Sequence, residues 1–348
     1  MKVKTHKSRI ILPILLAILI ALAGTALLLY RPTGTPAKRD YSDDADEGVW
    51  ESVSAADWMA KVDGALTLSE ISMPGTHDSA TEYVTLPLIG RCQDSSIAQQ
   101  LDMGVRVLDI RLNTHGNGDG TVSLTLSHSI LDCKASASLT ADALSFDAVV
   151  ADCRAFLAAH PTETILMLVK HEHGDADARQ VEDALLASFG DGGGLYTENR
   201  DPALDEVRGK IVLARRYGAG EEGLSGLNFC WADQGGSGVA GIPCVTQTVS
   251  DDLALCVQDH YAYGTQDKWS AVAYCIDHSQ AEKGTLLLNY LSTKGTGACG
   301  MPLKYAQVMN GWFIQHELLS GKDYGCVMFD YVSEGLARHV FAANSYQE

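Results

Sequence analysis

The sequence predicts an α/β fold whose strands close into a barrel, and three observations point that way. Short aliphatic or β-branched runs alternate with stretches of helical periodicity from residue 50 onward, no segment repeats at a fixed length, and the runs number eight. They fall at 68–71, 105–112, 124–126, 164–169, 210–214, 255–257, 286–290 and 326–329. Eight is the count that a closed parallel barrel needs. Helices are expected over 96–103, 146–160, 176–189, 268–283, 303–319 and 334–343, where the apolar residues recur at helical spacing. Glycine-rich pieces at 190–194 and 235–241 read as surface loops, since neither has the strand-to-helix setting and lysine of a phosphate-cradling loop.

Composition narrows the function. With 348 residues, 46% of them hydrophobic and 20% charged, the chain can bury a large core, which excludes a disordered or fibrous protein. Acidic residues outnumber basic ones 44 to 26 for a net charge of -18, so no nucleic-acid partner is expected. Residues 1–9 form a basic flank with Lys2, Lys4, Lys7 and Arg9, and an apolar run from 10 to 30 is long enough to span a bilayer. The flank should stay cytoplasmic and send the rest outside. Ala21, Leu22 and Ala23 resemble a cleavage site, yet the apolar run continues to Tyr30, so a signal anchor and a cleaved signal peptide both remain open. Residues 31–48 read as a disordered tether and 49–348 as one catalytic domain. All nine cysteines follow the apolar run, where an oxidising exterior would allow disulfides of undetermined pairing.

The unusual polar residues of this domain sit at or just after the ends of its apolar runs. His77 and Asp78 follow the first, Asp109 and Arg111 close the second, and His128 follows the third. Lys170 ends the fourth, Arg215 and Arg216 the fifth, Asp259 and Tyr261 follow the sixth, and Asp330 ends the last. In a parallel barrel these positions converge on one face, the catalytic one. Two histidines with carboxylate partners supply a general base and a general acid near neutral pH, and an arginine supplies a bidentate, permanently charged contact for phosphate oxygens. Such a set suits cleavage of a phosphodiester by an internal hydroxyl and requires no metal.

The stretch ISMPGTHDS at 71–79 resembles the first signature of the phosphatidylinositol-specific phospholipase C X domain. In the same order follow SIAQQLDMGVRVLDIRL at 96–112, LSHS at 126–129, HPTETILMLVKHE at 160–172, RGKIVLARRYG at 208–218 and VMFDYV at 327–332. The resemblance spans about 58–344 and implies a distorted (β/α)8 TIM barrel that cleaves phosphatidylinositol in a membrane to diacylglycerol and inositol 1,2-cyclic phosphate, acting as a monomer. It implies that His77 is the general base oriented by Asp330, that His128 is the general acid partnered by Asp78, and that Arg111, with Asp109 beside it, binds the phosphate. Lys170, Arg216, Asp259 and Tyr261 match residues of the inositol pocket. Strand alternation lets only one of Arg215 and Arg216 point inward.

Where Arg111 and Lys170 stand, the calcium-dependent branch of the family has acidic ligands, so the resemblance is to the metal-independent bacterial branch, with no cofactor. Glu172 and Asp175 beside Lys170 read as solvated charges or a weak ion site. Two other readings stay open: a phosphodiesterase of the same fold acting on another lipid or a glycosylated anchor, with or without a metal, and a lipid-binding module without turnover. Trp58 and Trp312 are expected in the core or at its rim, while Trp231 and Trp269 are candidates for a lipid-facing mouth.

Overall fold

The computed structural model describes residues 13–14, 16–18, 20–21, 54–138, 140–190, 193–235, 243–278, 283–297 and 300–347. The chain divides into two units, Met1–Asp40 and Tyr41–Glu348. In the first, the described residues of the expected apolar span are helical, and the remainder of the 10–30 run and the 31–48 tether lie outside the described residues. Among the described residues no helix is long and apolar enough to cross a membrane.

In the second unit, twelve strands form one sheet. They are β1 (Met73–Thr76), β2 (Val107–Gly116), β3 (Val122–His128), β4 (Leu131–Asp132), β5 (Ile165–His173), β6 (Leu195–Tyr196), β7 (Ile211–Arg216), β8 (Leu227–Asn228), β9 (Val245–Thr248), β10 (Ala254–Gln258), β11 (Thr285–Tyr290) and β12 (Cys326–Phe329). The order is β6-β7-β5-β2-β1-β12-β11-β10-β9, and every neighbouring pair from β7 through β10 is parallel. The helices are α1 (Pro87–Gly90), α2 (Ile97–Asp102), α3 (Phe146–Ala159), α4 (Ala178–Phe189), α5 (Leu204–Val207), α6 (Thr265–His278), α7 (Pro302–Phe313) and α8 (Glu334–Phe341).

The sheet curls as expected of a distorted TIM-type barrel, but among the described residues hydrogen bonds do not close it, so the eight expected runs do not make a complete ring. β9 runs antiparallel along the outer side of β10 and occupies the backbone groups that closure would need, while β6 and β8 take the free side of β7. The run at 124–126 belongs to β3, which folds back antiparallel on β2 as a hairpin. The run at 68–71 is a 3-10 turn, because Glu70 Oε2 reaches back to accept from the Thr67 backbone N–H at 3.0 Å. The first strand starts only at Met73.

The core lies on both faces of the parallel strands, as it must when helices cover them. Ile165, Leu166, Met167, Leu168 and Val169 of β5 have no exposed surface on either face. Under the sheet's N-terminal edge, Trp58 stacks on Phe341 with ring centroids 5.4 Å apart. Beside it the guanidinium of Arg106 meets Glu163 Oε2 at 2.8 Å, both side chains fully buried. Arg106 also donates to the Leu101, Val105 and Ala56 carbonyls, so the charge is solvated by the protein itself.

The expected disulfides are not formed: the eight described cysteines are free, and Cys299 lies outside the described residues. Cys133, Cys153 and Cys326 are buried in the hydrophobic core as small apolar groups, while Cys92 is buried beside His77 and His128. Cys244, Cys256 and Cys275 do gather beside β10, with the Cys244 thiol in hydrogen-bonding reach of the other two. Trp58 is fully buried, and Trp269 packs on Trp312 and His316 where α6 meets α7.

Candidate active site

The C-terminal ends of the parallel strands surround a cavity of about 670 Å³. His77, Arg111, His128, Lys170, Arg216, Asp259, Tyr261 and Asp330 line it. Asp78 and Asp109 stand behind its wall, at 2% and 0% exposure. The ten residues singled out from the sequence are thus brought together at one mouth.

Each is placed by backbone pairing. β1 pairs with β12 through Thr76 and Phe329, and the His77 N–H then donates to the Phe329 carbonyl at 2.9 Å. That register sets His77 beside Asp330, and His77 Nδ1 meets Asp330 Oδ1 at 2.7 Å. The chain next turns through Asp78, whose φ of 49° is in the left-handed region. This turn aims the Asp78 carboxylate across the cavity floor, where Oδ2 lies 2.6 Å from His128 Nδ1. The two imidazoles stand edge to face, with ring centroids 6.3 Å apart and planes at 82°.

Strain is concentrated here. The described non-glycine residues with positive φ are Asp78, Leu86, Ser129 and Tyr331, which flank His77, the cavity rim, His128 and Asp330 respectively. Holding an ordinary residue in this region costs on the order of 1 kcal/mol or more, and such costs collect where geometry serves a function.

The charges are interlocked. Arg111 reaches Asp109 Oδ2 at 3.0 Å and Asp78 Oδ2 at 3.3 Å. Burial opposes the charge on Asp109, but Arg111 and Arg216 outweigh it and hold the carboxyl well below the usual range. Burial likewise opposes ionisation of Asp78, and Arg111 with His128 reverses the balance and lowers its pKa. For His128, burial disfavours the cation, yet the Asp78 carboxylate prevails and raises the pKa above 6.5. With Nδ1 of each histidine directed at its carboxylate, each Nε2 is left free for chemistry.

On the other side of the cavity Lys170 Nζ pairs with Glu172 Oε2 at 2.5 Å. Arg216 lies flat on Trp231, its Cζ 3.4 Å from the ring centroid, and Trp231 Nε1 donates to Asp259 Oδ2 at 3.3 Å. Trp231 is therefore part of the pocket wall. Arg215 turns away, donating to the Tyr217 carbonyl at 3.0 Å. The Tyr261 hydroxyl donates to Asp233 Oδ1 at 2.7 Å, which fixes the ring at the mouth.

Sequence reasoning missed Cys92, Asp233 and Lys294, which also line the cavity, and placed Trp231 at the mouth as a lipid-facing residue and not as a partner of Arg216. All four lie in coil. His77, Asp78 and Cys92 bring ligand atoms within 4.8 Å of one another, but the guanidinium of Arg111 beside Asp78 sets a fixed positive charge against a cation there.

A curled parallel sheet with two histidine–carboxylate pairs facing each other over an arginine defines an acid–base site for an anionic, phosphate-bearing ligand. Comparison with known proteins gives that class a family. The family described as phosphatidylinositol-specific phospholipase C, X domain, matches residues 71–217. A 1-phosphatidylinositol phosphodiesterase of Staphylococcus aureus (strain Newman) is 26% identical over 281 residues, 74% of this chain and 82% of that protein. One of Listeria monocytogenes is 31% identical over 173 residues, 47% of this chain and 49% of that protein. Among solved structures, a mutant phosphatidylinositol-specific phospholipase C from Staphylococcus aureus superposes with a TM-score of 0.70 at 22% identity, covering 85% of this chain and 98% of that one. The Listeria monocytogenes enzyme does so with a TM-score of 0.64 at 21% identity, covering 84% and 100%. Over residues 71–217 the chain matches the phosphatidylinositol-specific phospholipase C X domain, the family its sequence motifs resemble.

Proposed function

We propose that this protein is a metal-independent phosphatidylinositol-specific phospholipase C. The observation that carries the proposal is the pair of imidazoles set edge to face over Arg111, each with Nδ1 on a buried carboxylate. His77 Nε2 takes the proton of the inositol 2-hydroxyl, and the freed oxygen attacks phosphorus. The bond from phosphorus to the diacylglycerol oxygen breaks, and His128 Nε2 delivers its proton to that oxygen. The products are inositol 1,2-cyclic phosphate and diacylglycerol. Asp330 and Asp78 stabilise the charge that comes and goes on the two rings, and Arg111 meets the charge developing on the phosphate oxygens.

The cavity walls differ in character, which orients the substrate. Lys170, Glu172, Arg216, Asp259 and Tyr261 form a polar wall suited to the inositol hydroxyls. Beside His128 the wall is apolar: Leu86 and Ile130 line it and are 62% and 75% exposed. The acid thus stands on the side where the lipid leaves, and the exposed rim can enter a bilayer surface. The proposal extends to a catalytic domain over 49–348 that follows the tether at 31–48 and works outside the cytoplasm as a monomer, either anchored by the apolar run or secreted after its removal. Its support is the basic flank and the apolar run of the sequence.

The reading is tested by product analysis. A purified domain starting near Val49, given phosphatidylinositol micelles, should release diacylglycerol and the cyclic phosphate in equal amounts. Cleavage at an acyl ester, or no turnover, would overturn it.

A further inference from the structure

Between the two histidine–carboxylate pairs stands a group that the acid–base scheme does not use. Cys92 is fully buried, and its sulfur lies 3.5 Å from His128 Nδ1. Its S–H donates to the Gly90 carbonyl at 3.8 Å, and the sulfur lies within 4.8 Å of a ring nitrogen of His77 and of an Asp78 carboxylate oxygen. The thiol therefore touches the imidazole of one pair and stands beside the imidazole of the other.

The backbone around it is fastened to both pairs as well. The Cys92 and Gln93 N–H groups donate to Thr81 Oγ1 at 2.9 and 3.0 Å, and that hydroxyl donates to the Asp78 carbonyl. Gln93 Nε2 donates to the His77 and Phe329 carbonyls, and Gln93 Oε1 accepts from the Val332 N–H. The Tyr331 N–H donates to the Cys92 carbonyl at 2.6 Å. Cys92 and Gln93 thus clamp the turn that carries His77 and Asp78 onto the strand end that carries Asp330, and no residue of the clamp belongs to a helix or strand.

We propose that Cys92 is a positioning residue for both proton transfers, its thiol spacing the His77 and His128 imidazoles so that base and acid address one phosphate together. The inference rests on the proposed phospholipase activity and adds a residue to it. The charged and titratable groups facing the thiol are His77, Asp78, Arg111, His128 and Asp330, with Tyr331 next to the last. Burial among the two carboxylates pushes the thiol pKa up, so it serves as a neutral donor and not as a nucleophile.

The test compares Cys92→Ala, which removes the donor, with Cys92→Ser, which keeps one, each against the unaltered protein. Rates are measured on phosphatidylinositol micelles, with Tm recorded for every variant. Misplacing catalytic groups by a fraction of an ångström should lower kcat of Cys92→Ala about tenfold with KM held within about twofold, and Cys92→Ser should recover kcat to within about threefold of the unaltered protein. The inference is overturned if Cys92→Ala keeps its kcat, if the loss falls on KM, or if Cys92→Ser is impaired as severely as Cys92→Ala at unchanged Tm. Absence of turnover in the unaltered protein would instead remove the phospholipase reading on which the inference rests.

Discussion

Asp330→Asn isolates the role of charge behind the base. The substitution keeps the shape of a side chain that is 3% exposed and 2.7 Å from His77 Nδ1, and it removes the negative charge that, in the proposed mechanism, stabilises the imidazolium formed when the 2-hydroxyl loses its proton. A hydrogen bond to a charged group contributes about 1.5–3 kcal/mol against about 0.5–1.5 for a neutral one, so the loss is on the order of 1–2 kcal/mol, or roughly 5- to 30-fold in rate. If the amide instead turns its NH2 toward Nδ1, the ring must carry its proton on Nε2 and cannot act as base, and the cost rises toward the roughly 10⁴-fold seen when a serine-protease triad loses its aspartate. Initial rates of inositol phosphate release at saturating phosphatidylinositol should therefore fall at least about fivefold, with KM within about threefold because Asp330 acts through His77. A kcat within twofold of the unaltered enzyme would refute the orienting role.

Other expectations follow from the same geometry. As the proposed acid, His128 must be protonated to act, and its pKa is raised because Asp78 outweighs burial, so activity should be lost as pH rises through that raised value. Asp78→Asn removes the raising charge, and the basic limb of the kcat profile should move to lower pH; a limb that stays in place would count against His128 as the acid. Arg106→Met leaves Glu163 buried without its partner and should cost about 3–5 kcal/mol in urea unfolding, against less than about 1 kcal/mol if the pair were solvated. Replacing both Leu86 and Ile130 by serine should weaken binding to phosphatidylinositol vesicles by about tenfold or more, given roughly 1.5–3 kcal/mol for each fully buried side chain, while kcat on monomeric short-chain substrate is preserved. Equal vesicle binding would show that the apolar rim does not enter the bilayer.

Much of the site was legible because polar residues at the ends of apolar runs are conspicuous, and a parallel sheet carries those ends to one face. His77, Arg111, Lys170, Arg216 and Asp330 all stand where a run stops. The same logic overshot for the runs at 68–71 and 124–126, because three or four residues do not distinguish a barrel strand from a capped turn or a hairpin arm. Closure was illegible for a related reason. β9, the strand that occupies the edge of β10, reads Val-Thr-Gln-Thr, with no aliphatic run to announce it. Cys92, Gln93, Trp231 and Asp233 lie in coil and act through contacts 11 to 239 residues away in sequence, such as those of Cys92 with Thr81 and Gln93 with Val332. No local pattern encodes such contacts.

The central claim, that two histidines move the protons without a metal, is tested most directly by phosphorus NMR of phosphatidylinositol micelles treated with the catalytic domain, with and without EDTA, beside a His77→Ala control. The account predicts a cyclic inositol phosphate resonance that grows at the same rate in EDTA and is absent from the control. Turnover that stops on chelation, or that persists in His77→Ala, would contradict it.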